Sequence, residues 1–165
     1  MNEAPFRIVR LGPGYDRAPF DCGSDSLNRY LREQVTQDVR RLVTFCFIAL
    51  GDGNRIAGYY TLASASFLVT DLPASISKKL PRYPTVPAVR MGRLAVDNSF
   101  KGQGLGGGLL ADALIRAAHS DIASYAMIVE AKDTVTAAFY QHYGFIAFPD
   151  KPLTLFLPLA TVQSL

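Results

Sequence analysis

The sequence predicts an α/β (α+β) fold: a central mixed, mostly antiparallel sheet of six to seven strands flanked by about four helices. Three observations predict it. Two β-branched and aromatic runs flank a glycine-rich turn early in the chain, a strand-helix-strand succession fills the second half, and 49% of the 165 residues are hydrophobic. That content supplies a core without disulfides or structural metal. No internal repeat, low-complexity tract or linker interrupts the chain, so residues 1–165 are expected to form a single domain.

Phe6-Arg7-Ile8-Val9-Arg10 alternates as a strand does, and Gly12-Pro13-Gly14 stops it. Ser24 or Asp25 can cap a helix in which Leu27, Tyr30, Leu31 and Val35 recur at helical spacing, with Arg29, Arg32, Glu33 and Asp38 mostly on the other face. Residues 43–50 and 55–67 read as two strands of a hairpin around Gly51-Asp52-Gly53-Asn54. Residues 71–87 hold Pro73, Pro81, Pro84 and Pro87, which exclude a long helix or a central strand and predict a surface excursion with one short helix. A strand follows over 89–96, then a helix over 105–119 with Leu109, Leu110, Ala113, Leu114 and Ala117 inward, and a strand over 125–130. A short helix over 134–143 ends at Gly144, and 153–157 returns as the final strand.

No apolar run approaches the ~18 residues of a membrane span, and no secretory leader is recognisable, so a soluble cytoplasmic protein without membrane association is expected. The two cysteines, Cys22 in a polar loop and Cys46 in an apolar run, suggest reduced thiols and no metal site. The formal charge of +3 is uneven: residues 24–93 carry ten basic and five acidic side chains, residues 94–165 four and six. That asymmetry points to an anionic partner or, equally, to a solvated basic helix face.

Gly102, Gly104, Gly106, Gly107 and Gly108 lie between a strand and a helix, where free backbone N–H groups and the positive helix end can hold a phosphate. A P-loop would need Lys-Ser or Lys-Thr after the glycines, and neither is present. A dinucleotide fingerprint fits Gly102, Gly104 and Gly107, with Glu130 where a ribose-binding acid would stand. The long connection Asp97 to Lys101 and the short chain that follows argue against it, although spacing alone does not dismiss it or a purely structural turn.

Arg93-Leu94-Ala95-Val96-Asp97 followed by Lys101-Gly102-Gln103-Gly104-Leu105-Gly106 resembles the acyl-CoA segment of the GNAT acetyltransferase superfamily, Q/R-x-x-G-x-G/A. Lys101 replaces the usual Gln or Arg, keeping a donor without the guanidinium fork. The resemblance implies a GNAT fold with a splayed cofactor cleft. It implies that the amides from Lys101 to Gly106 bind the pyrophosphate of acetyl-CoA and that the backbone of Leu94, Ala95 and Val96 pairs with the pantetheine arm. Asp133 and then Phe139-Tyr140-Gln141-His142-Tyr143-Gly144-Phe145 resemble the late GNAT segment, which ends in a tyrosine, three residues and Gly-Phe. By that likeness Tyr140 protonates the departing thiolate, as a phenol with pKa ~10 can, and Phe139 and Asp133 lie at the cofactor. Asp133 stands where many members carry Asn and is equally a helix N-cap. Taken alone, Tyr140 would read as a core tyrosine with a satisfied hydroxyl. No side chain announces itself as general base, and an α-amine, with pKa ~8, needs little help.

Phe20-Asp21-Cys22-Gly23, Leu27, Tyr30-Leu31, Thr44-Phe45, Ile56 to Leu62 and Arg90 to Asp97 further resemble one GNAT branch, the acetyltransferase toxins of bacterial toxin-antitoxin pairs. That branch implies acetylation of aminoacyl-tRNA, arrest of translation, neutralisation by a ribbon-helix-helix antitoxin, and a homodimer. The basic middle block agrees independently, since tRNA binding needs phosphate neutralisation. Arg40, Arg41, Arg90 and Arg93 are the candidate substrate-binding residues, with Lys78, Lys79 and Arg82 beside them; strand alternation sets Arg90 and Arg93 on opposite faces. An acetyltransferase acting on a small-molecule or protein amine, and a non-catalytic acyl-CoA-binding module, stay open.

Overall fold

The computed structural model describes residues 6–163. Seven strands form one sheet in the order β1-β2-β3-β4-β5-β7-β6. They are β1 Arg7–Arg10, β2 Phe45–Leu50, β3 Ile56–Leu68, β4 Thr85–Val96, β5 Ala126–Glu130, β6 Ile146–Phe148 and β7 Lys151–Pro158. β1 with β2, β2 with β3, β5 with β7 and β6 with β7 are antiparallel, whereas β4 and β5 are parallel. The parallel register covers Ala88–Arg90, and β4 runs on to Val96. The chain divides into two compact units, Met1–Ala63 with Gly92–Ala113, and Ser64–Met91 with Leu114–Leu165.

In the first unit, helix α1 (Asp25–Arg29) passes through one π-helical stretch, Tyr30–Gln34, into α2 (Val35–Arg40). Ser24 is the N-cap, accepting the Leu27 N–H on its hydroxyl. The expected face is buried: Tyr30, Leu31 and Val35 pack with Phe20, Cys46, Ile48 and Tyr59, while Arg29, Arg32 and Glu33 stay exposed. Burial pushes the Cys46 thiol up to about 12, so it is an inert core residue. Cys22, expected in a polar loop, is buried in the same cluster. Gly58 is needed for close packing, because a Cβ there would stand 2.8 Å from the Ala95 carbonyl oxygen and 2.8 Å from Leu109. Helix α4 (Leu105–Ala118) begins in this unit and buries Leu109, Leu110 and Ala113 as its period predicts.

In the second unit, Phe67, Leu72, Val86, Ala88, Ile128, Phe148 and Phe156 form the core. The excursion carries a 3-10 turn, Val69–Asp71, and the short helix α3 (Ala74–Ser77). Its end differs from expectation. β4 starts at Thr85 and passes through Pro87, whose missing donor is tolerated there and whose carbonyl accepts the Tyr125 N–H at 2.9 Å. Helix α5 (Thr134–His142) ends at Gly144, φ +97°, as the turn signal requires. Strand β6 and helix α6 (Ala160–Gln163) are additions to the elements the sequence predicts.

Candidate functional site

β4 ends in Asp97, a carboxylate only 2% exposed. Its oxygens accept the Ser99 N–H at 2.8 Å and the Asp21 N–H at 2.9 Å, and the Arg55 guanidinium lies 3.9 Å away. The Asp97 N–H bonds to Ala57 and the Asn98 N–H to Asp21, both at 2.8 Å. These bonds fix the path from β4 into the 3-10 turn Asn98–Phe100 and onward to the glycines. Asp21 in turn accepts from the Gly23 N–H and the Asn28 amide, which hold its carboxyl below the usual range in that order of strength. The Lys101 ammonium, expected at the cofactor, donates to the Cys22 carbonyl at 2.9 Å and so braces the 21–23 loop.

Beyond Lys101 the chain turns through Gly102 (φ +82°) and Gly104 (φ +77°), left-handed conformations that favour glycine. Gly102, Gln103 and Gly104 are exposed, and a Cβ at Gly102 or Gly104 would meet no atom within 4 Å. Leu105 then anchors the first turn of α4 in the core, with Gly106 partly exposed behind it. A 14-residue helix thus presents its first N–H groups and dipole through an open turn in which two glycines flank Gln103, which suits a phosphate group. Of the strand residues expected beside it, Ala95 is buried, and Leu94 and Val96 are half-buried.

In the second unit, Asp133 is the N-cap of α5: its carboxylate accepts the Thr136 N–H at 2.8 Å, and that bond holds it below the usual carboxylate range. The capping role is therefore realised, whereas no part of this geometry assigns it a ligand. Tyr140, 6% exposed, packs edge-on against Phe139 at 5.3 Å and, with the rings tilted, against Phe145 at 5.4 Å. The other buried tyrosines satisfy their hydroxyls within the protein: Tyr30 donates to Asp38, Tyr59 to the Leu27 carbonyl and Tyr60 to Asp112. Among the described residues, the Tyr140 hydroxyl has no such partner. Burial alone pushes its pKa up to about 12. A protonated phenol with an uncommitted O–H, held by two aromatic rings, is equipped to donate to a ligand. No buried side-chain nitrogen or oxygen among the described residues lacks a partner, so this hydroxyl is the part of Tyr140 that reaches solvent.

The two β4 arginines have different partners. Arg90 pairs with Glu130 at 3.3 Å in the second unit, and Arg93 lies 3.4 Å over the Tyr30 ring in the first. Arg40 and Arg41 are exposed at the end of α2, and Lys78, Lys79 and Arg82 are exposed on the excursion. His142 is exposed, as a surface residue, and a His119 ring nitrogen lies 3.1 Å from the Ile115 carbonyl. Two features have no counterpart among the sequence-predicted residues: Asp97 as the organiser of the glycine turn, and Tyr83, 70% exposed on the excursion. An aromatic residue among prolines and cations is the available signal for the second; nothing local signals the first. Among the described residues, no three His, Cys, Asp or Glu side chains are grouped to hold a metal, and no helix is long and apolar enough to cross a membrane.

Residues 43–147 match the acetyltransferase (GNAT) domain family. A tRNA-acetylating toxin of Mycobacterium tuberculosis (strain ATCC 25618 / H37Rv) is 35% identical over 158 residues, covering 94% of this chain and 93% of the relative. Among solved structures, AtaT complexed with acetyl-methionyl-tRNAfMet superposes with a TM-score of 0.89 at 31% identity, covering 96% of this chain and 98% of that one. A tyrosine-to-phenylalanine mutant of the AtaT toxin, bound to the C-terminus of the antitoxin AtaR and acetyl-CoA, gives a TM-score of 0.81 at 27% identity over 98% of both chains.

Proposed function

Because the chain belongs to the GNAT acetyltransferase family, we propose that it moves acetyl from acetyl-CoA to the α-amino group of an aminoacyl-tRNA and acts as a toxin by blocking translation. The observation that carries the chemistry is the Tyr140 hydroxyl, uncommitted among the described residues at the open end of a buried ring; the whole-length likeness to tRNA-acetylating toxins supports the substrate. In this reading residues 1–165 act as one catalytic domain. The exposed turn of Gly102, Gln103, Gly104, Leu105 and Gly106 holds the pyrophosphate, and Leu94 to Val96 pair with the pantetheine arm. Lys101 serves by bracing the turn against Cys22 rather than by touching the phosphates. Asp133 and Phe139 act through α5, the first as its cap and the second by packing against Tyr140.

The chemistry balances without a further reactant. The amine attacks the thioester carbonyl, the C–S bond breaks, and the proton that the amine loses is, in net, the one the thiol gains. A phenol with a pKa of about 12 is a weaker acid than a thiol at ~8.5, so complete transfer from Tyr140 to a free thiolate is uphill. The phenol therefore acts by hydrogen bonding to sulfur as negative charge develops in the transition state and keeps its own proton, while the proton shed by the attacking nitrogen reaches the thiolate through solvent. Arg40, Arg41, Arg90 and Arg93 contribute positive potential for the tRNA. A ribbon-helix-helix antitoxin, a homodimer and a cytoplasmic setting complete the proposal; the AtaR complex of AtaT supports an antitoxin partner by analogy.

The test is purified protein with acetyl-CoA and a set of aminoacyl-tRNAs, followed by mass analysis of the aminoacyl ends. Acetylated aminoacyl-tRNA is expected. Efficient acetylation of free amino acids or peptides, with aminoacyl-tRNA left untouched, would replace this reading with a small-molecule or protein acetyltransferase.

A further inference from the structure

We propose that the proline-rich excursion is a groove for an unpaired nucleotide of the tRNA, with Tyr83 stacking on the base and Lys78, Lys79 and Arg82 meeting the flanking phosphates. This rests on the tRNA reading above and adds the recognition surface. The groove is an open depression of about 340 Å³, and Val69, Thr70, Lys78, Arg82, Tyr83 and Pro84 are among the residues that line it.

Three properties of this surface suit single-stranded RNA. First, Tyr83 is 70% exposed and has no aromatic partner among the described residues, so a ring face is free to stack. Every base has a π-face, and stacking on an exposed aromatic is the sequence-tolerant way to hold an unpaired nucleotide. Second, the charge is of one sign. Residues 72–96 contain no Asp or Glu and five cations, Lys78, Lys79, Arg82, Arg90 and Arg93. Lys78, Lys79 and Arg82 form no ion pair among the described residues. Asp71, the nearest acid in the chain, sits half-buried in the preceding 3-10 turn. Third, the segment is preorganised. Leu72, Ile76 and Leu80 pack into the second unit's core. The Val69 N–H bonds to the Pro84 carbonyl at 3.1 Å, which closes the excursion, and Pro73, Pro81 and Pro84 restrict its backbone. A surface loop with an anchored back therefore keeps its cations and its one aromatic face outward, and little conformational entropy is lost when RNA binds. An acidic peptide would use the cations but leave the ring without a function.

Binding is measured for wild type, Tyr83→Ala, Tyr83→Phe and the triple variant Lys78→Gln, Lys79→Gln, Arg82→Gln. The ligands are aminoacyl-tRNA, a blunt RNA duplex with no unpaired nucleotide, and acetyl-CoA as control. Tyr83→Ala is expected to raise the Kd for aminoacyl-tRNA roughly 5- to 150-fold, the range of one lost base stack, without changing its salt dependence. Tyr83→Phe keeps the ring and should bind as wild type. The triple variant should lower the salt slope by roughly one unit per lost phosphate contact. The duplex should not distinguish Tyr83→Ala from wild type, and acetyl-CoA affinity should be the same throughout. If wild type acetylates aminoacyl-tRNA and Tyr83→Ala binds it equally well, the groove assignment is wrong and the function stands. The groove assignment is equally wrong if Tyr83→Ala loses affinity only for an acidic antitoxin peptide. If wild type neither binds nor acetylates aminoacyl-tRNA, the functional reading falls first and takes the groove with it.

Discussion

Replacing Tyr140 by Phe removes a single oxygen from a ring held at 5.3 Å from Phe139 and 5.4 Å from Phe145. The hydroxyl has no acceptor among the described residues, so no internal hydrogen bond is lost, and stability should change by less than about 1 kcal/mol. Turnover should behave differently. If the O–H donates to sulfur in the transition state, kcat should fall roughly 10²- to 10⁴-fold, or about 2.7–5.4 kcal/mol of barrier, while acetyl-CoA affinity stays within a few-fold. The pH profile supplies a second readout. The active form of Tyr140 is the protonated one, and burial raises its pKa from the ordinary 10 to about 12. The donor therefore stays loaded up to the onset of alkaline unfolding, and kcat should show no alkaline limb near pH 10. Stability linkage has the same sign: with the folded pKa above the unfolded one, the contribution is fully present below pH 10 and is lost as pH rises through about 12. Steady-state kinetics on folded protein, checked by thermal unfolding, decides the matter. Wild-type turnover in Tyr140→Phe would show that the side chain only packs.

Further predictions concern the turn and its support. Gly104→Asp forces a side chain into a φ of +77° in the turn proposed to hold the pyrophosphate, and calorimetry on folded protein should show acetyl-CoA binding weakened at least tenfold. Asp97→Ala removes the acceptor of the Asp21 and Ser99 N–H groups, which sit on exposed residues, so urea unfolding should report a loss of about 1–2 kcal/mol, whereas an unchanged midpoint would remove Asp97 as the organiser of this region. Gly58→Ala drives a Cβ to within 2.8 Å of the Ala95 carbonyl and should cost about 1–3 kcal/mol in the same assay, with Ala95 displaced in a crystal structure of the variant.

Long, strongly periodic elements are legible in the sequence. The α4 pattern of Leu109, Leu110, Ala113, Leu114 and Ala117 names a buried stripe, and Gly144 marks the end of α5, because each signal is local. Pro87 misleads for a physical reason: a proline in a strand is costly only where a neighbour needs its donor, and here the neighbour, Tyr125, donates instead. β6, three residues long, is too short to show a period. Within the candidate site, motif spacing names the glycine turn and Tyr140. It cannot report that Lys101 spends its ammonium on the Cys22 carbonyl, or that of four buried tyrosines Tyr140 is the one lacking an internal acceptor among the described residues. Hydrogen-bond partners drawn from distant parts of the chain are tertiary facts.

The same distinction bears on substrate recognition, because the cations named from sequence are not equivalent once their partners are known. Arg90 is shared with Glu130, and the Arg93 guanidinium is committed to the Tyr30 ring at 3.4 Å. Any phosphate contact by either must compete with an existing interaction, so its net contribution to tRNA affinity is smaller than its charge suggests. Lys78, Lys79 and Arg82 carry no such competitor among the described residues, and each releases counterions in full when it meets a phosphate. Charge neutralisation at those three positions should therefore lower the salt slope of tRNA binding more than neutralisation of Arg90 and Arg93 together, per charge removed. The opposite ranking, measured by titration at several salt concentrations, would place the RNA path along β4 instead of along the excursion.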